Sequence, residues 1–213
     1  MISQNFIEDN FPKGNLTLVG GSPSVGKTAF AITLAVSMAE RNQKVIYFSL
    51  EMSREQLVKR IMLQNRHLTI EENITICDTP SIGPSEVRSQ LEAQSFDYIL
   101  IDYLQLMNAE STELSGEDAV SSIVSGLKNL AGEFGVPIIV LSQLSRNGDF
   151  RIRTDDLAEI NVAILSRVQS NQYHQLVYKS HMENNSLITH FYFDSDTIEV
   201  VDYYATFYHS TTL

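Results

Sequence analysis

The chain has 213 residues, one cysteine, and 15 basic against 26 acidic side chains, which gives a formal charge of −11. A single cysteine excludes an intramolecular disulfide and a cysteine-based zinc site, and no apolar run approaches the roughly 18 residues of a membrane span. The acidic balance argues against a surface that binds nucleic acid by bulk attraction alone. Because the first ten residues carry no secretion signal, we expect a cytoplasmic protein with one core and no membrane contact.

Alternating β-rich and helical segments occupy the first two-thirds of the chain. Several β-rich runs are almost continuously apolar and rich in valine and isoleucine, which is typical of strands buried on both faces of a parallel sheet. Helices that follow such strands predict βαβ units with right-handed crossovers. We expect strands at 16–20, 44–50, 74–78, 97–102 and 136–142, and helices at 27–40, 53–66, 84–95 and 117–134.

Two of the predicted helices carry start signals. Ser53 stands at an N-cap position with Gln56 three residues later, which is the pattern of a capping box. Pro84 and Glu86 place a proline and an acidic residue in a first turn. These signals place two helix starts close to residues 53 and 84.

The last third of the chain has a different pattern, with β-rich runs, short connections and few helix signals. Neighbouring strands joined by tight turns, such as Ser195-Asp196, pair as antiparallel hairpins. The sequence therefore predicts an α/β fold whose mostly parallel central sheet, flanked by helices, is extended by antiparallel C-terminal strands. These last strands are expected at 162–168, 173–180, 187–194 and 197–204.

A glycine-rich segment follows the first strand and opens the first long helix. It fits the phosphate-loop pattern G-x-x-x-x-G-K-[ST] at every fixed position. The glycines let successive backbone N–H groups point inward and cradle phosphate oxygens, and the helix N-terminus adds further donors. Lys27 would place its charge on the β and γ phosphates of a bound nucleotide, and the hydroxyl of Thr28 can bind Mg²⁺. The alternative is a glycine-rich turn with a surface lysine. The candidate nucleotide-binding residues are Gly21, Ser22, Pro23, Ser24, Val25, Gly26, Lys27, Thr28 and Ala29.

A second signal of a nucleotide site is an acidic residue at the end of the predicted strand 97–102. Asp102 follows an apolar run, and the carboxyl end of a parallel strand lies at the ligand edge of the sheet. A carboxylate there can hold Mg²⁺ through water, as the Walker B aspartate of phosphate-loop enzymes does. The alternative is an aspartate that caps a loop. Asp97 flanks the same strand at its other end, away from the ligand edge.

With both motifs placed, four segments of the chain are similar to one family. They are GGSPSVGKTAFAITLA, VIYFSLEMSREQLVKR, YILIDYLQLM and LKNLAGEFGVPIIVLSQLSR. In this order and spacing, over about residues 14–146, the chain resembles the RecA-like ATPase domain of DnaB-type replicative DNA helicases. The resemblance implies one RecA-like domain of the phosphate-loop NTPase class over residues 1–213, with an N-terminal arm (1–12), a nucleotide-binding core (13–160) and a β-rich extension (161–213).

The resemblance also implies roles for three further residues near the nucleotide. Glu51, in the segment SLEM, would be the general base that activates the attacking water, although a glutamate in a first helical turn is the alternative. Gln143, at the end of the strand 136–142, would sense the γ-phosphate, although it could be an ordinary strand-end amide. Arg60 matches an arginine near the nucleotide, with a solvated helix arginine as the alternative.

RecA-like rings complete their sites between subunits, so the resemblance implies a homo-oligomer, expected to be a six-membered ring. The family carries Lys-x-Arg on a late strand, where the arginine stabilises transition-state charge in the neighbouring site. The corresponding residues here are Lys179 and His181. Imidazole is mostly neutral near pH 7 and lacks the forked donors of arginine, so the trans-acting position departs from the family pattern.

The DNA-contacting loop of the family corresponds to the segment after the strand 136–142. This loop carries a local basic cluster that could meet single-stranded DNA in a ring pore. Ala158 stands where the family has arginine, and the loop is shorter than usual. A solvated loop whose arginines pair with neighbouring aspartates is an equal alternative. The candidate DNA-binding residues are Arg146, Arg151, Arg153 and Glu159.

Two functions follow from the resemblance. The first is a motor that couples hydrolysis of ATP, with Mg²⁺, to translocation on single-stranded DNA or to duplex unwinding. The second is a nucleotide-switched accessory ATPase of the same lineage, such as a loader, an inhibitor or a mobile-element replication protein, without processive unwinding. Other replication proteins are further candidate partners of either. The departures at Ala158 and His181, with the acidic charge, are features that favour the second function.

Overall fold

A computed structural model describes residues 2–64, 73–145, 160–167, 173–179, 185–193 and 200–209. Gln64 and the residues from 166 onward are described by their backbone alone. Within these residues, no helix has the length and apolar character that crossing a membrane requires.

The centre of the fold is one sheet, with the strand order β3-β2-β4-β5-β1-β6-β7-β8-β9 in the described residues. Pairing is parallel from β3 through to β6 and antiparallel from β6 to β9. The first five strands lie within two residues of their predicted bounds. The strands are β1 (Leu16–Gly21), β2 (Val45–Ser49), β3 (Ile74–Cys77), β4 (Tyr98–Asp102), β5 (Ile138–Gln143), β6 (Asn161–Arg167), β7 (Tyr173–Lys179), β8 (Asn185–Phe193) and β9 (Val200–His209).

Helices cover both faces of the parallel part of the sheet. On one face, α2 packs into a core that includes Phe30, Leu34 and Met38, and α3 adds Leu57 and Ile61. The opposite face is covered by α4 and α5 and by a short 3₁₀ helix, Leu104–Leu106. Because each side of the sheet meets helices, the middle strands are buried on both faces, as their apolar runs predict. The helices are α1 (Gln4–Asn10), α2 (Lys27–Ala39), α3 (Arg54–Gln64), α4 (Pro84–Ala93) and α5 (Gly116–Phe134).

The helix start signals in the sequence are confirmed by local geometry. The backbone N–H of Gln56 donates to Ser53 Oγ at 3.4 Å, and the N–H of Ser53 donates to Gln56 Oε1 at 3.2 Å, so the capping box before α3 is formed in both directions. Pro84 opens α4, and the Glu86 carboxylate accepts from the N–H of Gly83 at 2.7 Å. Each pairing satisfies a backbone donor that the helix itself leaves unpaired.

The segment that forms α1 carries neither of the start signals that predict α3 and α4. Ser3 caps this helix by accepting from the N–H of Phe6 at 3.2 Å. Phe6, Ile7 and Phe11 are buried and belong to the same core as α2. A helix of seven residues is marginal by itself, so the contacts of its apolar face with the core hold α1 in place.

The register of the sheet brings four strand ends to one edge. Ser49 at the end of β2 pairs with Asp102 at the end of β4, and Gly21 at the end of β1 pairs with Gln143 at the end of β5. Asp97, which precedes the other end of β4, instead accepts from the N–H of Lys44 at 2.8 Å. The residues that the sequence singles out for chemistry therefore follow the carboxyl ends of adjacent parallel strands, where ligands bind in open α/β sheets.

Candidate nucleotide site

The phosphate loop connects the end of β1 to the start of α2. Ser24 and Gly26 both have positive φ, at 61° and 99°, and the N–H of Val25 donates to the Ser22 carbonyl at 3.3 Å. Gly26 is the N-cap of α2 in the left-handed conformation, which glycine adopts without steric cost. The loop thus places the N-terminus of a 13-residue helix at the ligand edge, which is a ready site for an anion.

Gly21 is required by the close approach of three groups. A Cβ at this position would lie 2.7 Å from Val25 Cγ1, 3.2 Å from Lys27 Cγ and 3.1 Å from the carbonyl oxygen of Leu165 on β6. The Val25 side chain would have to move to admit this Cβ, and the backbone of β6 leaves little room on the other side. The first glycine of the motif therefore lets the loop pack directly against the sheet.

The Lys27 ammonium lies over the loop. Its Nζ donates to the carbonyl oxygens of Gly21 at 2.9 Å and Ser22 at 3.0 Å. Burial lowers the pKa of Lys27, and the nearby carboxylates of Asp102 and Glu51 act in the opposite direction. A partly desolvated cation at a helix N-terminus is suited to binding a polyanion such as a triphosphate.

Asp102 is a buried carboxylate at the centre of the site, with only 4% of its surface exposed. Its Oδ2 accepts from the Tyr47 hydroxyl at 3.0 Å, and the Thr28 hydroxyl lies close enough to affect the pKa of the carboxylate. Burial raises the pKa of Asp102, while the Thr28 and Tyr47 hydroxyls lower it. Both hydroxyls thus stabilise the charged form of a carboxylate that would otherwise be costly to bury.

Glu51 lies just beyond β2, in a bend before α3, and its side chain is exposed. Since α3 begins at Arg54, Glu51 is not in a helical turn, and the alternative of a first-turn helix glutamate is wrong. Leu50 N–H donates to the Asp102 carbonyl at 2.9 Å, which ties this segment to the end of β4. The Glu51 carboxylate is close enough to Lys27 and Asp102 to affect the pKa of each.

Gln143 is the last residue of β5 and is half-buried. Its backbone pairs with Gly21 of the phosphate loop, and the next N–H, of Leu144, donates to the Gly21 carbonyl at 3.2 Å. On its other side, Gln143 N–H donates to Gln105 Oε1 at 3.1 Å. The structure therefore places Gln143 beside the loop, as the strand-end position predicts.

The remaining predicted residues lie only partly within the described part of the chain. Arg60 is an exposed residue of α3. Burial raises the pKa of the Tyr47 hydroxyl well above its ordinary value, and the charge of Arg60 acts to lower that pKa. Lys179 ends β7 and is described by its backbone alone. The other predicted trans-acting and DNA-binding residues lie outside the described residues: His181, Arg146, Arg151, Arg153 and Glu159.

Two residues of the site, Tyr47 and Gln105, have no role that the sequence pattern predicts. Tyr47 lies in the apolar strand β2, fully buried, and a buried tyrosine needs a partner for its hydroxyl. That signal was present in the sequence, but the partner, Asp102, is 55 residues away. Gln105 was part of the quoted segment YILIDYLQLM without a role of its own.

The donor set at the loop fits a nucleotide accompanied by a hard divalent cation. The Thr28 hydroxyl and the Asp102 carboxylate are oxygen ligands of the kind that Mg²⁺ prefers, and the hydroxyl is close enough to the carboxylate to lower its pKa. Lys27 and the N-terminus of α2 supply the positive charge and N–H donors that phosphates require. The residues present are therefore compatible with both groups.

Comparisons with known protein sequences identify one family of relatives. The family model described as DnaB-like helicase C terminal domain matches residues 6–72 and 66–161. The chain is 34% identical to the replicative DNA helicase DnaB of Geobacillus stearothermophilus, over 84% of this chain and 47% of that protein. It is 36% identical to a probable replicative DNA helicase of Trieres chinensis, over 68% of this chain and 39% of that protein. The chain thus spans less than half the length of these two relatives.

Solved structures share the fold. One of them, described as an ATPase domain, matches with a TM-score of 0.74 and 25% identity, over 89% of this chain and 85% of that chain. A DnaB-like replicative helicase, described with its interactions with primase, matches with a TM-score of 0.76 and 24% identity, over 90% of this chain and 58% of that chain. The mostly parallel sheet flanked by helices that the sequence predicts is thereby confirmed.

Proposed function

Since the chain belongs to the family of DnaB-like helicase C-terminal domains, we propose that it is an ATP-hydrolysing RecA-like motor domain. In this function, hydrolysis drives movement on single-stranded DNA or unwinding of a duplex. The observation that carries the proposal is the meeting of a phosphate loop, a buried acid and two candidate catalytic side chains at one edge of the sheet. The family relationship to replicative helicases favours a motor over the accessory ATPase.

The phosphate loop binds the triphosphate in this proposal. The loop from Gly21 to Ala29 presents the backbone N–H groups of its residues other than Pro23, with the α2 N-terminus, to the phosphates, and Lys27 binds the β and γ oxygens. The Lys27 ammonium donates hydrogen bonds to the carbonyl oxygens of Gly21 and Ser22, and these bonds support the role because they hold the positive charge over the loop.

Mg²⁺, when bound, neutralises charge that develops on the phosphate oxygens. Thr28 would bind it directly through the hydroxyl, and Asp102 would hold it through water. The burial of Asp102 supports this role, because a carboxylate in a low-dielectric position attracts a cation strongly. The Tyr47 hydroxyl orients the same carboxylate from the other side.

Glu51 is the proposed general base. Its carboxylate takes a proton from water positioned in line with the γ-phosphate. The water oxygen then bonds to the γ-phosphorus as the bond from that phosphorus to the bridging oxygen breaks, and ADP leaves with that oxygen. The exposed position of Glu51 beyond β2, within electrostatic reach of Lys27, supports this assignment. Gln143 is the proposed γ-phosphate sensor, and its pairing with Gly21 supports that role. Arg60 is proposed to lie near the nucleotide.

The remaining proposals concern assembly and DNA. We propose one domain, with residues 1–12, 13–160 and 161–213 as arm, core and extension, in a ring of six copies. Lys179 and His181 would act on the site of a neighbouring copy. Single-stranded DNA would meet the loop that contains Arg146, Arg151, Arg153 and Glu159. The support for this arrangement is membership of the helicase family.

The experiment that tests the nucleotide chemistry is a single charge removal, Glu51→Gln. The variant keeps the shape of the side chain but cannot accept the proton, so ATP hydrolysis should fall about 10²–10⁴-fold, with nucleotide affinity retained. The control is Glu113→Gln, which removes the same charge from an exposed loop position and should leave the rate unchanged. Hydrolysis at the parent rate in Glu51→Gln would show that another group is the base.

A further inference from the structure

The side-chain amide of Gln105 forms a two-way pairing with the backbone at the end of β5. Gln105 Nε2 donates to the Gln143 carbonyl at 3.1 Å and to Ser142 Oγ at 3.0 Å, and Gln105 Oε1 accepts from the Gln143 N–H at 3.1 Å. Both amide hydrogens of Gln105 and one lone pair of its carbonyl oxygen thus form hydrogen bonds to the adjacent residues Ser142 and Gln143. An amide that bonds to both the N–H and the C=O of one residue reproduces the pairing of a neighbouring strand.

The pairing occurs where the sheet stops supporting β5 on one side. In the described residues, β4 pairs with β5 only as far as Ile101 and Val140. On the other side β1 continues to pair with β5 up to Gly21 and Gln143. The Gln105 side chain therefore takes the place that β4 leaves, and it holds the last residue of β5 within the sheet.

This contact joins three parts of the site. Gln105 lies in the 3₁₀ helix Leu104–Leu106, which begins two residues after Asp102. Gln143 is held by Gln105 on one side and by Gly21 of the phosphate loop on the other. The hydrogen bonds of the Gln105 side chain go to backbone atoms and to a buried serine hydroxyl. A shift of this segment would consequently change where the Gln143 side chain points.

We propose that Gln105 is a positioning residue that fixes the end of β5, so that Gln143 distinguishes a nucleotide with a γ-phosphate from one without it. The inference rests on the proposed role of Gln143 as sensor. The 3₁₀ helix after Asp102 thereby contributes to the discrimination between the two nucleotides. Gln105 acts through Gln143 and does not touch the nucleotide.

The test is the ratio of two affinities, for a non-hydrolysable β,γ-imido analogue of ATP and for ADP, measured by calorimetry with Mg²⁺. Gln143→Ala should reduce the preference for the analogue about tenfold. Gln105→Met has a similar length but no hydrogen-bonding groups, and it should reduce the preference to a similar extent while ADP affinity stays within about twofold of the parent value. A purely structural role for Gln105 would lower both affinities together.

Two further variants separate positioning from general damage. The double variant Gln105→Met with Gln143→Ala should lose no more preference than Gln143→Ala alone, because both changes remove one shared function. The control Gln90→Met makes the same substitution at an exposed position of α4 and should leave the ratio unchanged. If Gln105→Met does not fold, Gln105→Glu serves instead, since it keeps the acceptor for the Gln143 N–H and loses the two donors.

The outcomes distinguish the inference from the function on which it rests. A reduced ratio in Gln143→Ala with the parent ratio in Gln105→Met, or in Gln105→Glu if that variant is used, would overturn the role of Gln105 and leave the sensor intact. An unchanged ratio in Gln143→Ala would overturn the sensor and, with it, this inference. Additive losses in the double variant would also count against the inference, because they would mean that the two residues act separately.

Discussion

The buried bond between Tyr47 and Asp102 provides a quantitative test of how the site is built. Tyr47→Phe removes one oxygen and leaves the ring, which is fully buried, in place. Asp102 keeps the nearby Thr28 hydroxyl but loses the hydrogen bond from Tyr47, whose donor–acceptor distance is 3.0 Å. The carboxylate is 4% exposed, so solvent cannot readily replace the lost donor.

The expected cost follows from the charge of the acceptor. A hydrogen bond to a charged group contributes about 1.5–3 kcal/mol to stability, against about 0.5–1.5 kcal/mol for a bond between neutral groups. We therefore expect Tyr47→Phe to lower the free energy of unfolding by about 2 kcal/mol at pH 7. The matched control is Tyr98→Phe on β4, which removes the same oxygen from a buried tyrosine near the neutral side-chain amide of Gln43, and its cost should be about 1 kcal/mol.

Urea unfolding followed by circular dichroism measures both variants. The same comparison in an Asp102→Asn background, where the acceptor is neutral, should reduce the cost of Tyr47→Phe to about 1 kcal/mol. If Tyr47→Phe costs no more than Tyr98→Phe, or if its cost is unaffected by Asp102→Asn, then the tyrosine does not stabilise a buried charge and the reasoning is wrong.

Two further substitutions test the phosphate loop. Lys27→Ala should weaken nucleotide binding roughly 10–100-fold, because it removes a charged donor to the phosphates; titration with a fluorescent nucleotide measures this, with the exposed Lys59→Ala as control. Gly21→Ala should destabilise the fold by about 1–3 kcal/mol in urea, since its Cβ would meet Val25 Cγ1 at 2.7 Å. Gly132→Ala meets nothing within 4 Å and should stabilise α5 by about 0.5–1 kcal/mol; equal effects of the two glycine substitutions would refute the close-approach argument.

The sequence was sufficient to predict the parallel core because burial leaves a direct pattern. Strands such as β4, covered on both faces, need apolar side chains at nearly every position, and the phosphate loop needs fixed residues at fixed spacing. Helix starts were predicted from local chemistry, as with Ser53 and Gln56, where the interacting atoms are close in sequence. Structural features that depend on residues within one strand, helix or motif could therefore be predicted from the sequence.

Features that depend on contacts distant in sequence were not predicted. The helix α1 was missed because its seven residues lack strong propensity, and packing of Phe6 and Ile7 against the core stabilises it. The bond between Tyr47 and Asp102 joins residues on two strands, and it depends on the register that sets Ser49 opposite Asp102. Likewise, the role of Gln105 becomes visible only once the end of β5 is known.

The most direct test of the motor proposal is the ATP hydrolysis rate of this chain with and without single-stranded DNA. The measurement is made on protein whose oligomeric state has been determined by light scattering, so that ring formation and activity are read from the same sample. We predict a ring-sized species whose hydrolysis rate rises when single-stranded DNA is added. A confirmed ring that hydrolyses ATP at the same rate with and without DNA would contradict the proposed motor.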